Sequence, residues 1–247
     1  MKRIFNWQVY FGLLLISLSV SIYFVHYLIF RDAHHIFIYL VGDIAFVFFE
    51  VLLVTMILHQ LLRYREKKAL FKKLNMVIGA FFNEVGTELL GFMTSFDTDA
   101  SKIADKIIVT NNWSKKDFAK TSKDLKVHDY SVDVKKTSME DLKAFLVKKR
   151  QFLLNLIENP SLLENESFTN LLWAIFHLTE ELVHRKDLKS LSQIDCQHLA
   201  GDIERAYRSL ILEWLAYMEH LKNNYPYLFS LAMRTNPLDK NASVEVQ

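Results

Sequence analysis

IFIYLVGDIAFVFFEVLLVTMILHQLL, residues 36–62, is the stretch on which the fold turns. It contains neither Lys nor Arg, and its acids are Asp43 and Glu50. A helix rises 1.5 Å per residue, so about 20 such residues cross a hydrocarbon core of ~30 Å. The run is too long for an ordinary core helix and is read as a transmembrane span.

Upstream, Trp7 to Phe30 holds no acid, Lys or Arg and has the same reading. A cleaved signal peptide would have an apolar stretch of about 7–15 residues ending in small side chains. Here the end is Phe24-Val25-His26-Tyr27-Leu28-Ile29-Phe30, bulky throughout, which argues against cleavage. Only Arg31-Asp32-Ala33-His34-His35 separates the two runs, so the spans form an antiparallel hairpin within residues 1–64.

Orientation follows from the cations, which stay on the cytoplasmic side of a span. Lys2 and Arg3 precede the first run; Arg63, Arg65, Lys67, Lys68, Lys72 and Lys73 follow the second. Both termini are therefore expected in the cytoplasm, and the basic cluster is expected to attract anionic lipid headgroups. The sequons at Asn112, Asn165 and Asn241 all fall on that side and are read as chance.

The rest of the 247-residue chain is charged, water-soluble sequence, so the 51% hydrophobic content is concentrated at the N-terminus. A net charge of +2 and the lack of a basic, aromatic-interleaved stretch argue against nucleic acid. Cys196 stands alone, without a CxxC or Cys/His cluster, and reads as a structural thiol.

Beyond Leu62 the second span is expected to continue as a long helix. Leu70, Leu74, Val77/Ile78, Phe81, Val85 and Leu89 recur at three- and four-residue steps and demand a partner, either later helices of the same chain or other copies. Asp97-Thr98-Asp99 reads as the cap of a short helix near 100–109. Residues 114–136 read as a weak helix followed by a mobile connection. Ser138 with Asp141 resembles a capping box opening a helix to Glu158. Helices near 167–185, 195–223 and 227–233 follow, with no alternating strand pattern. The expected fold is all-α: a transmembrane hairpin, a cytoplasmic helical bundle over 65–235, and a disordered tail over 236–247.

Asp43 and Glu50 are the sharpest chemical feature, because a charged side chain at the centre of a span costs about 2.5–3.5 kcal/mol or more. Seven residues apart, they share a helix face. On the first span Gln8, Gly12, Leu15, Ser19, Tyr23 and His26 form a polar face, which sets Tyr23 and His26 opposite Asp43 and Ser19 near Glu50. These groups could serve as neutral hydrogen-bonded glue or as a proton or cation site. Two helices enclose no pore, so conduction requires self-association.

In the bundle, His177, Glu181 and His184 share one face, and Glu213, Tyr217 and His220 lie along a later helix. Glu181-x-x-His184 has the spacing of carboxylate-bridged di-metal bundles. The second Glu-x-x-His that such sites need is missing, which leaves a solvated or partner-facing stripe as the plainer reading. Trp173 on that face suggests a covering protein partner. No phosphate loop or nucleophile elbow occurs. The sequence assigns no cofactor and points to a non-enzymatic membrane assembly using Asp43 and Glu50. The alternative is a membrane-anchored metal-binding or enzymatic domain using His177, Glu181, His184, Glu213 and His220, or a scaffold for a cytoplasmic partner.

Overall fold

The computed structural model describes residues 2–162, 164–239 and 242–245, with side chains from Trp7 onward. Asn241, and the residues at 240 and 246–247 of the expected tail, lie outside the described residues. Every regular element among them is helical, and the one extended pairing is an isolated bridge between Asp97 and Val132. The chain divides into two units at Lys67/Lys68.

The first unit contains α1 (Lys2–Phe30) and the beginning of α2 (Ala33–Phe81). Arg31 ends α1 in the left-handed region, with φ 51°, and its N–H donates to the Tyr27 carbonyl at 2.8 Å. Asp32 then caps α2, its Oδ1 accepting from the His35 N–H at 3.1 Å. Both helices are long and apolar enough to cross a membrane, and their most apolar windows bury nothing within the chain.

In the second unit, α2 passes through a π-turn (Phe82–Gly86) into α3 (Thr87–Phe96). The Phe82 carbonyl accepts both the Thr87 backbone N–H, the i to i+5 bond of the wider turn, and the Thr87 hydroxyl at 2.9 Å. A Cβ at Gly86 would sit 2.6 Å from the Phe82 ring and 2.7 Å from that of Phe81, so this turn admits only glycine without rearrangement. The stripe seen in the sequence finds its partner within the chain: Leu74, Ile78, Phe81, Val85 and Leu89 are buried, and Leu70 is half-buried. Phe81 meets Phe168 edge-on at 5.1 Å, and Phe82 stacks on Tyr217 at 4.8 Å.

The remaining helices are α4 (Ala100–Ile107), α5 (Lys115–Lys126), α6 (Met139–Ile157), α7 (Glu166–His184), α8 (Gln193–Asn224) and α9 (Pro226–Arg234). Central α8 packs against α3, α5, α7 and α9, while α6 covers α7. Local chemistry sets the starts. Ser114 and Asp117 form a reciprocal capping box, and Ser138, Asn165 and Ser192 each accept a backbone N–H at N3. Ser138 and Asp141 make only one half of the expected box.

Three expectations require correction. Asp97 is no cap: it is fully buried, its Oδ1 accepts from the Asp99 N–H at 2.9 Å, and burial raises its carboxyl pKa. The segment after α5 is anchored, not mobile. Tyr130 and Val134 are buried, and Thr98 and Asp133 donate to the Ser131 and Phe96 carbonyls. The tail does not begin at 236, because Asn236 and Leu238 are buried at 4% exposure each and belong to the core.

Candidate metal centre

Helix α7 buries Phe168, Leu171, Ile175, Leu178 and Leu182, which turns His177 and Glu181 onto the flank of the helix beside α8. On α8 the buried Leu199, Ile203 and Ala206 do the same for His198 and Asp202. Each helix thus contributes one His and one acid at an i, i+4 spacing, which places both groups on one face. The two helices run antiparallel, so His177 meets Asp202 and Glu181 meets His198.

The distances are short. His177 Nε2 lies 3.4 Å from Asp202 Oδ1 and 3.9 Å from Glu181 Oε1. His198 Nε2 lies 3.3 Å from Asp202 Oδ2 and 3.5 Å from Glu181 Oε2. One donor atom from each of the four residues falls within 4.8 Å of the others. A tetrahedral ion with bonds of about 2.1 Å separates its ligands by about 3.4 Å, so small side-chain rotations would complete the shell.

Two arginines orient the carboxylates. Arg205 donates to Asp202 Oδ1 at 2.9 Å. Arg185 donates to the Glu181 carboxylate and backbone carbonyl and continues to Asp195 Oδ1 at 3.1 Å. That hydrogen bond holds the Glu181 carboxyl below its ordinary pKa and raises that of Arg185. Asp202 is only 2% exposed, yet its Oδ2 has no hydrogen-bond partner among the described residues. A buried carboxylate oxygen without a donor is costly. A cation at this point would satisfy it, with the arginines as outer supports for two monodentate carboxylates.

Of the five residues expected to bind metal, only His177 and Glu181 come together. His184 is exposed, with its Nδ1 2.8 Å from the Glu180 carbonyl. Glu213 is buried, which raises its carboxyl pKa, with the Ser167 hydroxyl partly offsetting that effect. His220 sits toward the end of α8 beside Asn224 and Tyr225, and burial lowers its pKa. His198-x-x-x-Asp202 repeats the His177-x-x-x-Glu181 spacing; that repeat was the available signal, and sequence reasoning missed it. Trp173, on the same flank of α7, is 57% exposed.

In the first unit, Tyr23 donates to Asp43 Oδ2 at 3.3 Å. The His26 ring packs 4.7 Å from Phe30 and stacks 6.1 Å from that of His35. Ser19 and Glu50 have no side-chain partner among the described residues. Arg63, Arg65, Lys67, Lys68, Lys72 and Lys73 are all exposed.

A family model described as "Uncharacterized protein MJ1433, C-terminal helical domain" matches residues 70–234. A second, "MJ1433, N-terminal helical domain", matches residues 2–62. The chain is 46% identical over 230 residues to "Uncharacterized protein MJ1433" of Methanocaldococcus jannaschii, covering 93% of this chain and 92% of the relative. No solved structure matches. The interval between the two family models contains the boundary between the two structural units.

Proposed function

The chain belongs to the MJ1433 family, and we propose that it is a membrane-anchored helical protein that binds a divalent transition-metal ion between α7 and α8. One observation carries this reading: one donor atom from each of two histidines and two carboxylates converges within 4.8 Å, around a buried Asp202 oxygen that makes no hydrogen bond. Imidazole and carboxylate donors suit Zn²⁺ and its neighbours in the first transition row. Four protein donors fill a tetrahedral shell, the pattern of a structural or sensory ion; a catalytic ion keeps a position open. The ion would staple the α7–α8 pair.

The hairpin supplies the anchor. The most apolar windows of the two long helices bury nothing within the chain, and a bilayer is the solvent that would accept them. The cation distribution orients both termini and the bundle toward the cytoplasm, with residues 63–73 at anionic headgroups. Trp173, beside the metal site, is the anchor point for a cytoplasmic protein partner.

Metal analysis of the purified full-length protein tests the central claim. About one Zn²⁺, Mn²⁺ or Fe²⁺ per chain is expected, lost in His198→Ala and Asp202→Asn and retained in His184→Ala. Absence of bound metal after equilibration with each ion overturns it.

A second reading rests on the first unit. The Tyr23–Asp43 hydrogen bond and the unpartnered Glu50 support an intramembrane proton or cation site completed by self-association. Mass measurement in nanodiscs tests it: a stable oligomer that dissociates in Glu50→Gln is expected, and a monomer removes this reading.

A further inference from the structure

A cavity of about 440 Å³ lies within the second unit, walled by α2 and the end of α8 and floored by the start of α9. Met76, Leu221 and Leu228 make its apolar surface, and the rings of Tyr217 and Tyr225 flank it. The volume falls in the range of small-molecule sites, which are largely apolar with a few polar groups. No acidic residue lines it among the described residues. Burial lowers the pKa of its one histidine, His220.

The nearest basic residues along the helix lie one and two turns before the lining. Lys72 precedes Asn75 and Met76 by one turn on the same face of α2, with Lys68 one turn earlier, and both lysines are exposed. Met76, at 59% exposure, and Leu228, at 39%, leave apolar surface open at the mouth. The features run in sequence from an apolar pocket free of acids, to an apolar lip, to a cationic edge. We infer that this cavity binds a single-chain anionic amphiphile of the fatty-acid class, its tail between α2 and α8 and its headgroup at Lys72.

This inference is independent of the metal site and is tested separately, on the full chain in amphipol. The probe is dansyl-undecanoic acid, whose emission rises when its environment turns apolar. Saturable binding of one probe per chain is expected, displaced by dodecanoate and about tenfold less well by uncharged dodecanol, the ratio expected for one charge-assisted hydrogen bond. Lys72→Glu should weaken binding by a similar factor, about tenfold. Met76→Trp at the exposed lip should block it. Gly79→Val provides a second block, because a Cβ there meets only the Tyr217 ring, at 3.7 Å. Equal probe binding in both blocked variants with unchanged melting, or dodecanol competing as well as dodecanoate, overturns the assignment. Mass spectrometry of lipids retained by the wild type and lost from Met76→Trp distinguishes a bilayer lipid from a free fatty acid.

Discussion

His177 on α7 and Asp202 on α8 face each other at 3.4 Å, Nε2 to Oδ1, and the other Asp202 oxygen lies 3.3 Å from His198 Nε2 without forming a hydrogen bond. The pair joins two helices that the 185–192 connection alone would hold less rigidly, so an ion shared between them should stabilise the fold. With free Zn²⁺ at a hundred times its Kd, linkage gives about 2.7 kcal/mol, or about 5–10 °C in Tm for a chain of this size. Thermal scans with and without metal check this, and His177→Ala should abolish the metal-dependent increment.

Glu213 carries a pH signature. Burial raises its carboxyl pKa in the folded chain, so its favourable contribution is complete below the unfolded pKa and is lost as pH rises through the folded value. Glu213→Gln is therefore expected to melt higher than wild type at pH 7, with the difference vanishing near pH 4. A mutant that melts lower at pH 7 would show that the ionised carboxylate has a partner.

Gly86 is required by contact. A methyl group there would press into two fully buried rings. Gly86→Ala is expected to cost about 1–3 kcal/mol, the usual range for overpacking, measured by denaturant unfolding of the bundle. Gly201, whose Cβ would meet nothing within 4 Å, is the control and should tolerate Ala.

Tyr23→Phe removes the donor to Asp43. Interhelical polar contacts in membranes average about 0.6 kcal/mol and reach about 1.7 kcal/mol. For the hairpin inserted in a bilayer as proposed, a loss in that range is expected from steric-trap unfolding, and Asp43→Asn combined with Tyr23→Phe should cost less than the sum of the two.

Helix existence and most boundaries were legible because they rest on neighbours in sequence. The stripe from Leu70 to Leu89 and the cap at Ser138 each rest on residues three or four apart. Legibility failed where a residue's environment came from afar. Asp97 resembles a cap in sequence but is enclosed by the segment that carries Val132 and Lys136, and Leu238 looks like tail but is buried in the core.

The candidate centre divides along the same line. Sequence alone determined an all-helical chain with two long apolar runs at its start, because hydrophobic periodicity is a local property. It also picked out His177 and Glu181 as one face of α7. Choosing His198 and Asp202 over Glu213 and His220 depended on the antiparallel register of α8 against α7. That register is set by how Leu171, Ile175, Leu178 and Leu182 pack with Leu199, Ile203 and Ala206 in the core, a relation between distant segments that only the tertiary structure decided.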